Sequence, residues 1–534
     1  MSRRRNKNVH VDNPALRPTG SGTEERRPGF SPVLIHTVAL VGIVLVASFL
    51  RLNQLATVPS GLFPDEAMEG SNALEALETH EFKEFYPENN GREGMYVNLA
   101  AVAIRIFGPT KLALRLPAAV FGIGTIIGLY CLATELFQPA VGILAALFLA
   151  TSFWHVVASR LAGHAILAPF FLTWAIFLLI SGARLGNNRR ARAFIIAGGL
   201  LYGLGFYTYI SYRITPLLII VVFTLWWCVH SPRVAAGRVF LLFFFPAALI
   251  SLPLFHYFAK HPETFWQRAR QVSIINSSQP ALTLLTNIGK TIGMLVWRGD
   301  SNWRHNYSGQ PQLFWPIALL FICGLIALIQ DFDQHRRKGR WNSHHLLQQA
   351  LTTGWLVVGA IPALMAVEVP HALRSIIIAP PIFIIAGIGG SRVLDLMKSP
   401  RVTTQVGAGV LCLAALTFQA YNMYFDVWAR SPEVPRHFMA SLEDIADHIN
   451  RLPNQTPKYV VVATEAAPVR AVSLIAQPIM YLTDSFTARG QRAHNIQYIT
   501  PTNAKDYGAS PGSMRSLCDQ IEERQPYVEL FCIE

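Results

Sequence analysis

Eleven long apolar runs limit what this chain can fold into before any motif is considered: 31–52, 115–137, 140–158, 165–182, 193–210, 214–230, 238–258, 311–330, 347–367, 372–390 and 404–424. About 20 mostly apolar residues cross a hydrocarbon core as a helix, which alone satisfies its own backbone there. Of 534 residues, 52% are hydrophobic and only 14% charged, and the mean hydropathy is +0.33. An ordinary soluble protein is excluded, and a multi-span α-helical membrane protein is expected. The first run is longer than a signal-peptide core, lacks a small-residue cleavage site and begins late, so it reads as a retained helix.

The net charge of +13 does not imply a nucleic-acid partner, because the basic residues cluster between the apolar runs. Arg3, Arg4, Arg5, Lys7, Arg26 and Arg27 precede the first run. Further sets are Arg184, Arg189, Arg190 and Arg192, then Arg233 and Arg238, then Arg336, Arg337, Lys338 and Arg340, and last Arg392, Lys398 and Arg401. All fall on one side if 1–30 is a cytoplasmic tail, which is the bias short cytoplasmic loops show. Met95 to Phe107 is apolar but short and interrupted by Arg105; as a span it would invert every later loop. It is therefore expected to lie in the interface, with twelve spans as the alternative.

This path puts 53–114, Arg160 to His164, 211–213, 259–310, 367–375 and everything beyond 425 on the outer face. The segment 425–534 is polar, with strand signals at Lys458 to Thr464 and Asn495 to Thr500 and a helical stretch at Met439 to Leu452. A small mixed α/β domain, or an appendage completing the outer surface, is expected there. Cys131, Cys228, Cys323 and Cys412 sit in apolar runs as small hydrophobes. Cys518 and Cys532 are in polar sequence, and an extracytoplasmic location would favour their disulfide, the alternative being two unrelated thiols. The connector Asp331 to His345 has no phosphate-binding glycine pattern, so no nucleotide site is expected.

Asp65 and Glu66 directly follow the first span in Gly61-Leu-Phe-Pro-Asp65-Glu66-Ala-Met-Glu-Gly70. Later come Asn90-Gly-Arg92-Glu93-Gly-Met-Tyr96 and Arg115-Leu-Pro117, then Phe206-Tyr-Thr-Tyr209-Ile-Ser-Tyr212-Arg213 and Pro370-His371-Ala-Leu-Arg374-Ser. In this order the motifs resemble the GT-C superfamily of polyprenyl-phosphate-sugar glycosyltransferases, and within it the bacterial protein O-mannosyltransferase and aminoarabinose transferase group. The resemblance implies a GT-C-like domain over 31–424 in a bacterial inner or plasma membrane, with 53–114 as the first catalytic loop. It implies a sugar donor carried on a polyprenyl phosphate in membrane lipid, an acceptor that is a protein, a glycolipid or a cell-wall glycan, and inversion at the anomeric carbon. The family's catalytic Asp falls on Asp65. The sequence departs from the aminoarabinose-transferase pattern at Ala168, where that pattern has Asp, and Arg160 or His164 then become candidates for a second outer site.

The residues admit roles that fit this resemblance. Asp65, with Glu66 beside it, is an ordinary carboxylate able to take an acceptor proton, although Pro64-Asp65-Glu66 also suits the first turn of a helix. Glu69 and Glu93 are further acids nearby, so counting carboxylates does not fix the stereochemistry. Arg92 could grip the leaving phosphate or anchor a lipid headgroup. Arg213, beyond Tyr209 and Tyr212, fits a ligand contact or an interfacial cation, while His371 and Arg374 fit a phosphate grip or a Glu368–Arg374 pair. Trp297, Asp300, Trp303, Arg304 and His305 suit either a sugar or acceptor platform or an interfacial anchor.

No metal cluster stands out. His344 and His345 read as a solvated connector, and a divalent cation at Asp65, Glu66 and the outer histidines is left open. Asn276, Asn306 and Asn454 head the short glycosylation signal, which is frequent by chance. Two rival classes remain, a lipid-linked-glycan transporter or flippase and a non-catalytic glycan assembly component. The transporter reading draws on Ala379-Pro380-Pro381 as a span kink.

Overall fold

The structure is a computed structural model that describes residues 32–229, 233–337, 343–397, 402–462, 468–469, 472–509, 514–525 and 528–533. Cys228, Asn276 and His344 fall outside the described side chains. The chain opens with α1 (Pro32–Leu52), then the loop helices α2 (Pro64–Thr79) and α3 (Met95–Phe107), with the two-residue strands β1 (Phe85–Tyr86) and β2 (Arg92–Glu93) between them. Helices α4 (Lys111–Leu136), α5 (Pro139–Ala150), α6 (Phe153–Arg160), α7 (Leu167–Arg184), α8 (Arg189–Gly205), α9 (Thr215–Val229) and α10 (Arg233–Lys260) follow. Two more loop helices, α11 (Pro262–Val272) and α12 (Pro280–Val296), lead to α13 (Trp315–Arg337), α14 (Ser343–Leu364), α15 (Ala379–Met397) and α16 (Val402–Tyr421).

Among the described residues, nine helices are long and apolar enough to cross a membrane, and the pair Pro139–Ala150 and Phe153–Arg160 makes a tenth if counted as one span. That pair corrects the straight span expected over 140–158, because the two helices meet at 60°. The bend falls at Thr151-Ser152, where the Ser152 side chain caps α6 by accepting from His155 N–H. The expected span 193–210 is also shortened. It becomes α8, 17 residues long, beginning in Arg189-Arg190-Ala-Arg192 and ending before a turn at 206–208. Met95–Phe107 is a separate 13-residue apolar helix. Pro380 and Pro381 lie in the first turn of α15, where a missing N–H costs nothing, so they start a helix and do not kink one.

Lipid cannot drive helices together by the hydrophobic effect, so close backbone approach through small residues matters. A Cβ on Gly324 of α13 would strike the Ile385 carbonyl of α15, and one on Gly389 of α15 would strike the Leu320 carbonyl of α13. Gly199 and Gly203 of α8 meet α10 at Phe243 and Ala247 in the same way. Large apolar side chains such as Leu45, Phe245 and Leu411 remain outward and exposed, as a lipid-facing surface requires.

After a π-helical turn at Asn422–Trp428, the chain forms α17 (Glu433–His437) and α18 (Ala440–Arg451) and enters a parallel sheet. Strand β3 (Lys458–Val462) is followed by the short antiparallel pair β4 (Pro468–Val469) and β5 (Val472–Ser473), then α19 (Gln477–Leu482), α20 (Ala488–His494), β6 (Ile496–Ile499), α21 (Met514–Arg524) and β7 (Glu529–Ile533). The sheet order is β6-β3-β7, with Val461 opposite both Ile499 and Cys532. Cys518 of α21 and Cys532 of β7 form a disulfide. This domain also packs against the first outer loop. Met68 of α2 joins the core of Val460, Ile479 and Met480, and Tyr481 Oη donates to the Thr110 carbonyl at 2.9 Å. Glu443 accepts from Gly61 N–H at 2.8 Å and pairs with Lys111.

Candidate active site

Asp65 stands in the first turn of α2, which Pro64 initiates and where a negative charge meets the favourable end of the helix dipole. Its carboxylate Oδ1 accepts from Arg92 Nη2 at 2.8 Å and from Asn89 Nδ2 at 2.7 Å. The side chain nevertheless stays 48% exposed. The turn that delivers Asn89 is Asn89-Asn90-Gly91, with φ of 50°, 67° and 79°, a left-handed run that Asn and Gly tolerate. It leads into β2, whose pairing with β1 sets Tyr86 opposite Arg92.

One turn along α2, Glu69 lies beneath Asp65. Its Oε1 receives Arg92 Nη1 at 2.9 Å and lies 2.9 Å from His164 Nδ1. Burial alone would raise the Glu69 pKa, but Arg92 and His164 outweigh it and hold the carboxyl below its ordinary value. Burial likewise opposes the Arg92 charge, and Glu69 and Asp65 more than restore it. Arg92 Nη1 also donates to the Asp65 carbonyl at 2.9 Å. Arg92 was expected on a donor phosphate. Both of its terminal nitrogens bond Asp65 and Glu69, and its side chain is 5% exposed.

Glu66 points the other way. Its Oε1 accepts from Ala162 N–H at 2.6 Å, and its Oε2 lies 3.4 Å from Arg115 Nη2. Arg115 is fully buried and also donates to the carbonyls of Pro59 and Gly61 at 2.9 and 2.8 Å. Glu66, expected beside Asp65 as a catalytic residue, thus ties the Ala162 turn to the first loop.

Arg160 was the other candidate for a second outer site. It is buried at the end of α6, donates to the carbonyls of Leu50, Gln54 and Val58, and lies against the rings of Tyr424 and Phe425. His164, by contrast, does reach the site through Glu69, and its ring is 5.1 Å from that of Tyr209. Ala168 is buried in the first turn of α7, so the acid beside His164 is Glu69 of the first loop.

Arg213 was expected on phosphate. Its Nη2 pairs with the buried Glu93 at 2.9 Å, Nη1 donates to the Phe265 carbonyl at 2.8 Å, and its guanidinium lies over Phe258 and Phe265. Tyr212 is fully buried against Tyr202 and Phe206, and its N–H donates to the carbonyl of Tyr209, itself buried, at 2.8 Å. Trp297 is 83% exposed, and Trp303 packs on Tyr307 and accepts from Trp428 through its carbonyl. Neither tryptophan faces Asp65 as a described neighbour.

Arg304 does approach it. Its guanidinium stacks 3.7 Å over the Phe63 ring, immediately before Pro64. Burial lowers its pKa, while Asp65, Glu66, Asp300 and Glu368 act to raise it. Among the described residues, no carboxylate lies within ion-pair distance of it. Asp300, His305 and His371 gather behind Arg304, and Arg374 pairs loosely with Glu368 at 3.6 Å. Burial drives the pKa of both His305 and His371 down. Asp300 ends up below its ordinary value because His305, His371 and Asn302 N–H outweigh its burial.

Sequence reasoning left Glu69 and Asn89 without roles. The spacing of Asp65 and Glu69 by four residues, which puts both on one helical face, was the available signal for Glu69. Asn89 offered no signal beyond its turn.

A long bundle of apolar helices, an acid-bearing loop after the first span and a small α/β domain over that loop define the class as a multi-span membrane protein of the GT-C fold. Within it the chain resembles the protein O-mannosyltransferase and ArnT group. A family model described as dolichyl-phosphate-mannose-protein mannosyltransferase matches residues 95–250. The oligosaccharyltransferase of Archaeoglobus fulgidus, in a complex with Zn and sulfate, superposes with a TM-score of 0.53 at 16% identity, covering 92% of this chain and 67% of that one. The same archaeal enzyme, AglB, with an inhibitory peptide and a dolichol-phosphate gives 0.52 at 14% identity, covering 88% and 70%. ArnT from Cupriavidus metallidurans bound to undecaprenyl phosphate gives 0.50 at 14% identity, covering 89% and 91%. No curated protein matches the sequence.

Proposed function

We propose that this protein is a membrane glycosyltransferase that moves one sugar from a polyprenyl phosphate to an acceptor outside the cytoplasm, with inversion. The observation that carries the reading is Asp65, a half-exposed carboxylate held by Arg92 and Asn89 at the mouth of a helical membrane bundle. Asp65 takes the proton from the acceptor hydroxyl as that oxygen attacks the anomeric carbon and the bond to phosphate breaks. Fixing the base in advance removes reorganisation from the barrier. Arg304, with Arg374 behind it, meets the phosphate as its charge develops.

The solved GT-C proteins carrying undecaprenyl phosphate or dolichol-phosphate support a lipid phosphate as the donor carrier. The choice of acceptor among protein, glycolipid and cell-wall glycan is made by experiment. Purified protein, incubated with a panel of polyprenyl-phosphate sugars and total membrane extract, is expected to consume one donor and yield a product heavier by one sugar by mass spectrometry. Specific donor binding with no consumption across the panel and extract would count against transfer and favour carriage or assembly.

A further inference from the structure

Asp300, His305 and His371 bring one carboxylate oxygen and two ring nitrogens within 4.8 Å of one another. The two loops that supply them are also joined by a hydrogen bond from Ala372 N–H to Asp300 Oδ2 at 2.8 Å. The other oxygen, Oδ1, accepts from Asn302 N–H at 2.8 Å, so the carboxylate is aimed before any ligand arrives. His305 is equally fixed. Its N–H bonds to the Asn302 carbonyl at 3.0 Å, and Asn306 closes the loop by donating to the carbonyls of Asp300 and Gln310.

A plain ion pair does not account for the cluster. His305 Nδ1 is buried and makes no hydrogen bond among the described residues. It lies 3.5 Å from Asp300 Oδ2, too long for a good bond. About 3.3 Å is the spacing of two ligands on one tetrahedral ion with bonds near 2.0 Å. His371 completes the set with its ring centroid 4.8 Å from that of His305. Its Nδ1 is engaged only by a 3.3 Å bond from Arg374 N–H, a weak partner to exchange for a metal. Asp300 supplies the negative charge at both imidazoles, and Arg304 and Arg374 oppose it, so an ion here is held by its ligands and not by the surrounding field.

We infer that Asp300, His305 and His371 form a binding site for one divalent transition ion of the zinc type, which clasps the 297–314 loop to the 367–375 turn. Two imidazoles and one carboxylate are the donor set that borderline ions prefer, whereas calcium and magnesium favour oxygen alone. The clasp holds Arg304 over Phe63 and so fixes a cation near Asp65. This assignment rests on the loop geometry and does not depend on the transferase reading.

The test uses the full chain in detergent, purified through a tag without histidine, loaded with Zn2+ and desalted. Elemental analysis is expected to find about one zinc per chain, reduced several-fold in His305→Ala and in His371→Ala and retained in a control with His344 and His345 both changed to Ala. Wild type loaded with Co2+ provides a reading that needs no variant. It is expected to show the visible absorption of a four-coordinate N/O site, displaced by Zn2+, and a chelator is expected to lower its Tm. Zinc retained equally in the histidine variants, or no Co2+ spectrum and no metal in wild type, would overturn the site.

Discussion

Asp65 Oδ1 accepts two donors while nearly half of the side chain stays open to solvent, a division that suits a base more than a structural anchor. Asp65→Asn preserves the shape and the donors' acceptor oxygen but removes the base, so transfer is expected to fall at least about 100-fold with Tm unchanged. Arg304→Ala removes the stacked cation and is expected to raise the donor KM about 10- to 100-fold, the usual worth of a charge-assisted contact. Glu69 behaves differently because it is buried between Arg92 and His164. Glu69→Gln leaves Arg92 under-compensated in a buried site and is expected to cost about 3 kcal/mol or more, read as a loss of Tm. Since the folded protein holds the Glu69 carboxyl below its ordinary 4.5, its contribution is complete above that pH and lost as pH falls through the depressed value. The wild-type Tm is therefore expected to drop on acidification below about pH 4.5 more steeply than that of Glu69→Gln. Asp65, Arg304, His305 and His371 were legible in sequence as ionisable groups in the polar stretches of an apolar chain. Their partners were not: Glu66, Arg92 and Arg160 carry the same charges, and only the structure shows each of them bonded to protein groups.

The first outer loop has its shape because Arg115 of α4 and Glu443 of α18 grip it from opposite sides at Gly61. Gly61 has φ of +80°, and a Cβ there would run into the Phe438 carbonyl and Ala440. Gly61→Ala is expected to destabilise by more than about 1 kcal/mol and to lower transfer through displaced Asp65, measurable as a joint loss of Tm and rate. The long apolar helices were readable from hydropathy, as was Met95–Phe107 from its length and Arg105. The 60° bend before α6 was not, because Thr151-Ser152 is no stronger a breaker in sequence than many pairs inside spans. In the C-terminal domain, β3 and β6 showed as runs of β-branched and aromatic residues. Strand β7 escaped notice because Glu529-Leu-Phe-Cys-Ile533 holds a single β-branched residue, and long-range pairing with β3 makes it a strand.

On the scale of the whole molecule, a bundle of long apolar helices carries the first loop, and the C-terminal domain packs against that loop. Contacts from Met68, Tyr481 and Glu443 make the stability of that domain part of the site's own stability. The Cys518–Cys532 bridge closes a loop of 14 residues, worth about 3 kcal/mol in the chain-entropy account. Replacing both cysteines by serine is expected to bring thermal loss of activity to a lower temperature while leaving the rate at low temperature intact. The central claim is that Asp65 is the base of a glycosyl transfer from a lipid phosphate. Its most direct test compares wild type with Asp65→Asn, scoring donor consumption by mass spectrometry and donor binding in parallel. The account predicts wild-type consumption, equal donor binding by both proteins and no turnover by the variant; a folded Asp65→Asn protein that turns over donor at the wild-type rate would contradict it.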